Sequence, residues 1–245
     1  LCLEAARLAE HVAGSGEDSL AAEALSLAFW AQRSVGDSAG ALRLAESFVN
    51  RFGPEARPWG RLCLEYARML QASGDCERAS RFYRSVLEHR YYSPLRDEAA
   101  VGLARCLLEG SRYEEALEVL RKGRTPPALD LWEPGVFHLY EVSAGSCERA
   151  LAEARSLVGA GRQREAVLVV RRARAELASA GIDCQAELLQ LEAELLEKMG
   201  NWRAAALALQ ALCENQELPQ ELRYRAARRW VGLLYDHGQY QAALD

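Results

Sequence analysis

A glycine, a few polar residues and an alanine recur along this chain at nearly constant distance, and no other feature restricts its fold as much. The stretches "GDCERASRFY" from Gly74, "GSRYEEALEVL" from Gly110, "GRQREAVLVV" from Gly161, "GNWRAAALAL" from Gly200 and "GQYQAALD" from Gly238 share the pattern, the second with its glycine one residue early. Aligning on the alanine after the turn gives Ala41, Ala79, Ala116, Ala166, Ala205 and Ala243, and Ala5 joins them through the tetrapeptide RLAE shared by 7–10 and 43–46. The spacings are 36, 38, 37, 50, 39 and 38 residues. A period of this size marks stacked supersecondary units, none of which can bury its apolar face alone.

Each unit reads as a helix A, a glycine turn and a helix B. Glycine accepts the left-handed conformation that ends a helix and reverses the chain. The alanine falls where helix B crosses helix A, and a larger side chain would push the two backbones apart. Small residues recur at the facing point of helix A, as in Ala67, Ala104 and Ala193, and the aromatics Tyr113, Trp202 and Tyr240 are placed to cover the turns. Runs of β-branched residues alternating with polar ones are missing, so the expected fold class is all-α.

"GNWRAAAL" and "GQYQAAL" resemble the tetratricopeptide repeat, whose pattern places glycine, aromatic and alanine at these offsets, and the resemblance covers nearly the whole chain. It implies a right-handed α-solenoid of stacked antiparallel helix pairs and a protein-binding role. The periods exceed the family's usual 34 residues. Its proline after helix B is present only loosely, at Pro54, Pro94 and Pro126. The tract from Ala45 to Ala104 is similar to longer repeats of bacterial envelope assembly proteins, and 150–214 resembles helical repeats of large bacterial transcription regulators.

The rhythm breaks between Ala116 and Ala166. Pro126 and Pro127 end one helix and Pro134 suits the start of another, with Phe137, Tyr140 and Val142 on one side of an extra helix near 134–143. The expected organisation is an N-terminal repeat array over 1–123, an irregular junction over 124–146 and a C-terminal array over 147–245. A second register is open, because "GSCERAL" at 145–151 echoes "GDCERAS" at 74–80. In that register Arg155 moves to a helix B. The chain, which starts without methionine and stops two residues after Ala243, reads as a piece of a longer protein.

No reaction chemistry is visible. Four histidines, His11, His89, His138 and His237, lack metal-ligand spacing, and "GSGED" at 14–18 has neither a preceding strand nor a phosphate-binding lysine. No cofactor or metal is expected, and the chain is read as a non-enzyme. A net charge of −5 argues against nucleic acid as the main partner. No apolar run approaches the ~20 residues that a bilayer requires. The seven cysteines sit among alanines and leucines without a CxxC pair, so free buried thiols are expected, which leans toward the cytoplasm with the bacterial periplasm as the alternative.

Binding remains. The resemblance assigns the groove mainly to helix A, and its ninth place falls on Trp30, Arg68, Arg105, Arg155, Glu194 and Gly232. Three arginines there would form a ladder for carboxylates of a protein or peptide partner, with Arg61 and Arg225 extending it and Leu64, Val101 and Leu151 offering apolar contact. The competing reading has these arginines paired with neighbouring glutamates such as Glu98. A second surface is offered by Trp132, Phe137 and Tyr140, with packing in the irregular core of the junction as the competing reading for these aromatics. The chain is thus expected to be a scaffold for a protein partner, or else the sensor or docking region of a larger enzyme or regulator.

Overall fold

The computed structural model describes residues 18–56, 58–89, 93–123, 142–177 and 182–244. Among them every regular element is a helix: α1 Asp18–Ser34, α2 Ser38–Arg51, α3 Trp59–Ala72, α4 Cys76–Glu88, α5 Ser93–Glu109, α6 Tyr113–Gly123, α7 Val142–Gly159, α8 Gln163–Glu176, α9 Ile182–Lys198, α10 Trp202–Glu214, α11 Gln220–Asp236 and α12 Tyr240–Leu244. Odd-numbered helices are A helices and even-numbered ones are B helices. The fold is an all-α repeat of helix pairs. No helix of the described residues is long and apolar enough to cross a membrane.

The turns explain why the glycine is where it is. Gly36, Gly74, Gly161, Gly200 and Gly238 all adopt positive φ, between 72° and 85°. The Gly74 N–H donates to the Gln71 carbonyl and the Asp75 N–H to that of Leu70, both at 2.9 Å, and the same pair of bonds closes the turns at Gly161 and Gly200. These satisfy the carbonyls that the end of helix A would leave unpaired. The next residue then caps helix B: Asp37 and Asp75 accept from the backbone N–H of Gly40 and Arg78 at 2.8 and 3.1 Å. In the turn before α6 the early glycine has a consequence, since Ser111 takes the left-handed place with φ 57°.

The alanine alignment holds: Ala41, Ala79, Ala116, Ala166 and Ala205 are all completely buried, as are Ala67, Ala104 and Ala193 opposite. The register between Ala116 and Ala166 is also resolved. Helix α7 runs unbroken through 145–151, and the turn comes at Gly161. The second register therefore fails, and Arg155 lies on an A helix.

The chain divides into two compact units, Leu1–Gly110 with Glu118–Leu131 and Ser111–Leu117 with Trp132–Asp245. In the first, α3 packs on α2, α4 and α5. Phe48, Leu62, Leu64, Tyr66, Tyr83 and Leu103 are among its large fully buried side chains. The ring of Tyr83 lies over Gly102, where an added Cβ would stand 2.3 Å from its Cζ. In the second, one core joins Leu151, Leu157, Val170, Leu188, Leu195 and Ala205, and another joins Leu189, Leu209, Leu212 and Leu218.

Two expectations change. Cys147 on α7 and Cys184 on α9 form a disulfide, so free thiols are the rule only for Cys63, Cys76, Cys106 and Cys213 among the described residues. Burial among alanines suits a half-cystine as well as a thiol, and composition does not separate them. The turn aromatics also reach further than their own turns: Tyr113 lies against Gly159 at the end of the next A helix, and Trp202 stacks on His237 at the end of α11 with ring centroids 4.6 Å apart. The extra helix expected near 134–143 falls outside the described residues except for 142–143, which begin α7.

Candidate functional site

In the first unit two exposed arginines of an A helix form a dense ionic cluster with a buried and a half-buried glutamate. Arg61 and Arg68 stand two turns apart on α3, with Glu65 between them, and Glu98 comes from α5. The Arg68 guanidinium donates to Glu65 Oε1 at 2.8 Å and to Glu98 Oε2 at 2.6 Å. Arg61 approaches the same two carboxylates at 3.8 and 3.7 Å. Burial works against the charge on Arg68, but the two carboxylates outweigh it and hold its pKa above the ordinary arginine value. Glu65 is itself buried, so it needs these partners. The pairing with Glu98 that competed with the ladder is therefore present.

Arg105 is exposed on α5. Arg155 is exposed on α7 of the second unit, with no ion pair to any described residue. Arg225 on α11 pairs within its own helix with Glu221. Trp30 is 38% exposed on α1, its ring edge-on to the buried Phe29, and exposed Leu20 and Leu27 share that helix. Leu64, Val101 and Leu151 are all buried, so they pack the repeat and offer a partner nothing. Trp132, Phe137 and Tyr140 lie outside the described residues.

The second unit has its own bridges, which motif counting did not find. Glu192 is buried on α9 and takes Arg171 at 2.7 Å and Arg174 at 2.5 Å, both from α8. Arg229 on α11 reaches back to Glu194 and Glu197 on α9 at 3.4 and 2.8 Å. A signal for the first was there: Glu192 precedes the crossing-point residue Ala193, and a carboxylate at a helix crossing requires counter-charges.

No protein-family model matches the sequence, and no curated protein matches it significantly. Solved structures do resemble the fold. MamA from Desulfovibrio magneticus RS-1 is 15% identical with a TM-score of 0.57, over 80% of this chain and 93% of that one. A thermophilic TPR protein of Thermus thermophilus is 18% identical with a TM-score of 0.55, over 82% and 94%. The TPR-like repeats of a putative kinesin light chain from Podosopora anserina are also 18% identical, with a TM-score of 0.55 over 77% and 91%. The fold is that of the tetratricopeptide-repeat proteins.

Proposed function

We propose that this chain is a non-catalytic scaffold that holds an acidic segment of a protein partner against its A helices. The observation that carries the reading is the exposed guanidinium of Arg155 on α7, which has no ion-pair partner among the described residues, at the motif place that Arg68 and Arg105 fill on α3 and α5. A planar fork in that setting suits a carboxylate. In the first unit the same fork is shared with Glu65 and Glu98, so an incoming carboxylate there competes with bridges already made.

Affinity capture from the native cell, followed by titration of the purified partner, tests this. Binding weakens as salt rises, and Arg155→Glu lowers affinity about tenfold or more, in the range of a lost charged contact. Its melting temperature stays at the wild-type value, because no described ion pair is broken. Arg68→Glu behaves differently: it sets a third carboxylate against Glu65 and Glu98 and lowers the melting temperature as well. If Arg155→Glu binds with unchanged affinity and salt dependence, the arginine reading fails, and Trp132, Phe137 and Tyr140 become the next surface to test.

A further inference from the structure

Cys76 holds a place in its repeat that is aromatic in three others, at Tyr113, Trp202 and Tyr240. It lies three residues before Ala79, as Tyr113 lies before Ala116 and Trp202 before Ala205. Those two rings pack on the end of the following A helix. The Cys76 thiol points the same way, and it meets a second thiol: its Sγ is 2.8 Å from Sγ of Cys106 on α5. The bonded distance is about 2.05 Å, so the two sulfurs stand close to bonding. Cys106 is buried, Cys76 is partly exposed, and the Glu109 carboxylate accepts the Cys76 S–H at 3.1 Å.

We infer that Cys76 and Cys106 are a dithiol pair that a disulfide oxidant converts to a second disulfide, tying α4 to α5. The accessible Cys76 reacts first. Its thiolate attacks one sulfur of a small-molecule disulfide RS–SR, and the sulfur–sulfur bond of the oxidant breaks, releasing RS⁻, which leaves as RSH. Cys106 then loses its proton and attacks the Cys76 sulfur of the mixed disulfide, and the second RS⁻ also leaves as RSH. Two protein thiols are oxidised, one disulfide is reduced to two thiols, and the protons are conserved. Because α3 and α5 both pack on α4, the bond also fixes the helices that carry Arg61, Arg68 and Arg105. Burial is the main cause that raises both thiols above their ordinary value, and for Cys76 the hydrogen bonds to Cys106 and Glu109 add to it. Oxidation is consequently slow at neutral pH and quickens as pH rises.

The test uses the whole chain, fully reduced, freed of reductant and exposed to glutathione disulfide at pH 8, followed by peptide mapping without reduction. Re-formation of Cys147–Cys184 shows that the oxidant works, and Cys63, whose thiol burial pushes up to about 12, serves as the inert control. The expected result is a peptide pair joined through Cys76 and Cys106. In Cys106→Ser, whose helicity is checked by circular dichroism, Cys76 instead accumulates as its glutathione mixed disulfide. In Cys76→Ser, Cys106 stays a thiol. Glu109→Gln speeds the wild-type reaction several-fold at pH 7. The inference is overturned if Cys147–Cys184 re-forms while Cys76 and Cys106 both remain thiols, or if each is capped by glutathione without a linked peptide.

Discussion

Ser111 shows how far a single residue can be anticipated. Motif alignment places a turn at 110–112 but leaves open which residue takes the left-handed conformation, since the glycine comes early. With φ 57° at Ser111, the side chain sits where Cβ crowds the backbone, at a cost of roughly 1–2 kcal/mol. Glycine removes that crowding but gains freedom in the unfolded chain. Ser111→Gly is expected to stabilise the protein by about 0.5–1 kcal/mol, read as a higher urea midpoint at unchanged slope. A lower midpoint would mean that the serine hydroxyl or a different backbone conformation holds this turn. Gly102 was less legible. Within a helix it looks like a weak residue, and only the Tyr83 ring arriving from α4 explains why a side chain is not tolerated there.

At the level of helices, pairing was readable because it follows local rules: a positive-φ residue, a capping Asp or Asn, then an alanine at the crossing. The positive-φ residue recurs at each described turn from an A helix to its B helix, at Ser111 in one of them, and the cap is Asp37, Asp75 and Asn201 in three, with Arg112, Arg162 and Gln239 in that place in the others. Ala205→Leu and Ala116→Leu should each cost roughly 1–3 kcal/mol through overpacking at fully buried crossing points, measured by chemical denaturation. Neutral behaviour of both would show that the crossings have room and that the alanine is not what sets the helix spacing. What links one pair to the next was not readable. Arg68 finds Glu98 across 30 residues and Cys147 finds Cys184 across 37, and both meetings depend on the rotation of each helix about its axis. A repeat period fixes the order of helices and not that rotation to within a side chain. For the same reason Arg61 and Arg68 could be placed on an exposed face from sequence, with pairing to Glu98 as the competing reading, while the choice between the two readings and the part of buried Glu65 needed the structure.

For the whole chain, the division into two units bears on how stability is shared. Within each unit, helices contact mainly their sequence neighbours, so a local perturbation should spread by nearest-neighbour steps and weaken with each one. The Cys147–Cys184 disulfide offers a perturbation confined to the second unit. It closes a 37-residue separation and ties α7 to α9 across α8, and such a loop contributes about 3–4 kcal/mol in the chain-entropy account. Reduction with a phosphine should therefore speed amide hydrogen exchange most in α7, α8 and α9, less in α10 and α11, and leave α2 to α5 at their original rates. Cys147→Ser should reproduce that pattern without reductant, which separates the loss of this bond from any effect on other thiols. Uniform acceleration from α2 to α11 would show instead that the chain unfolds as one cooperative block, and the two units would then be a feature of packing alone.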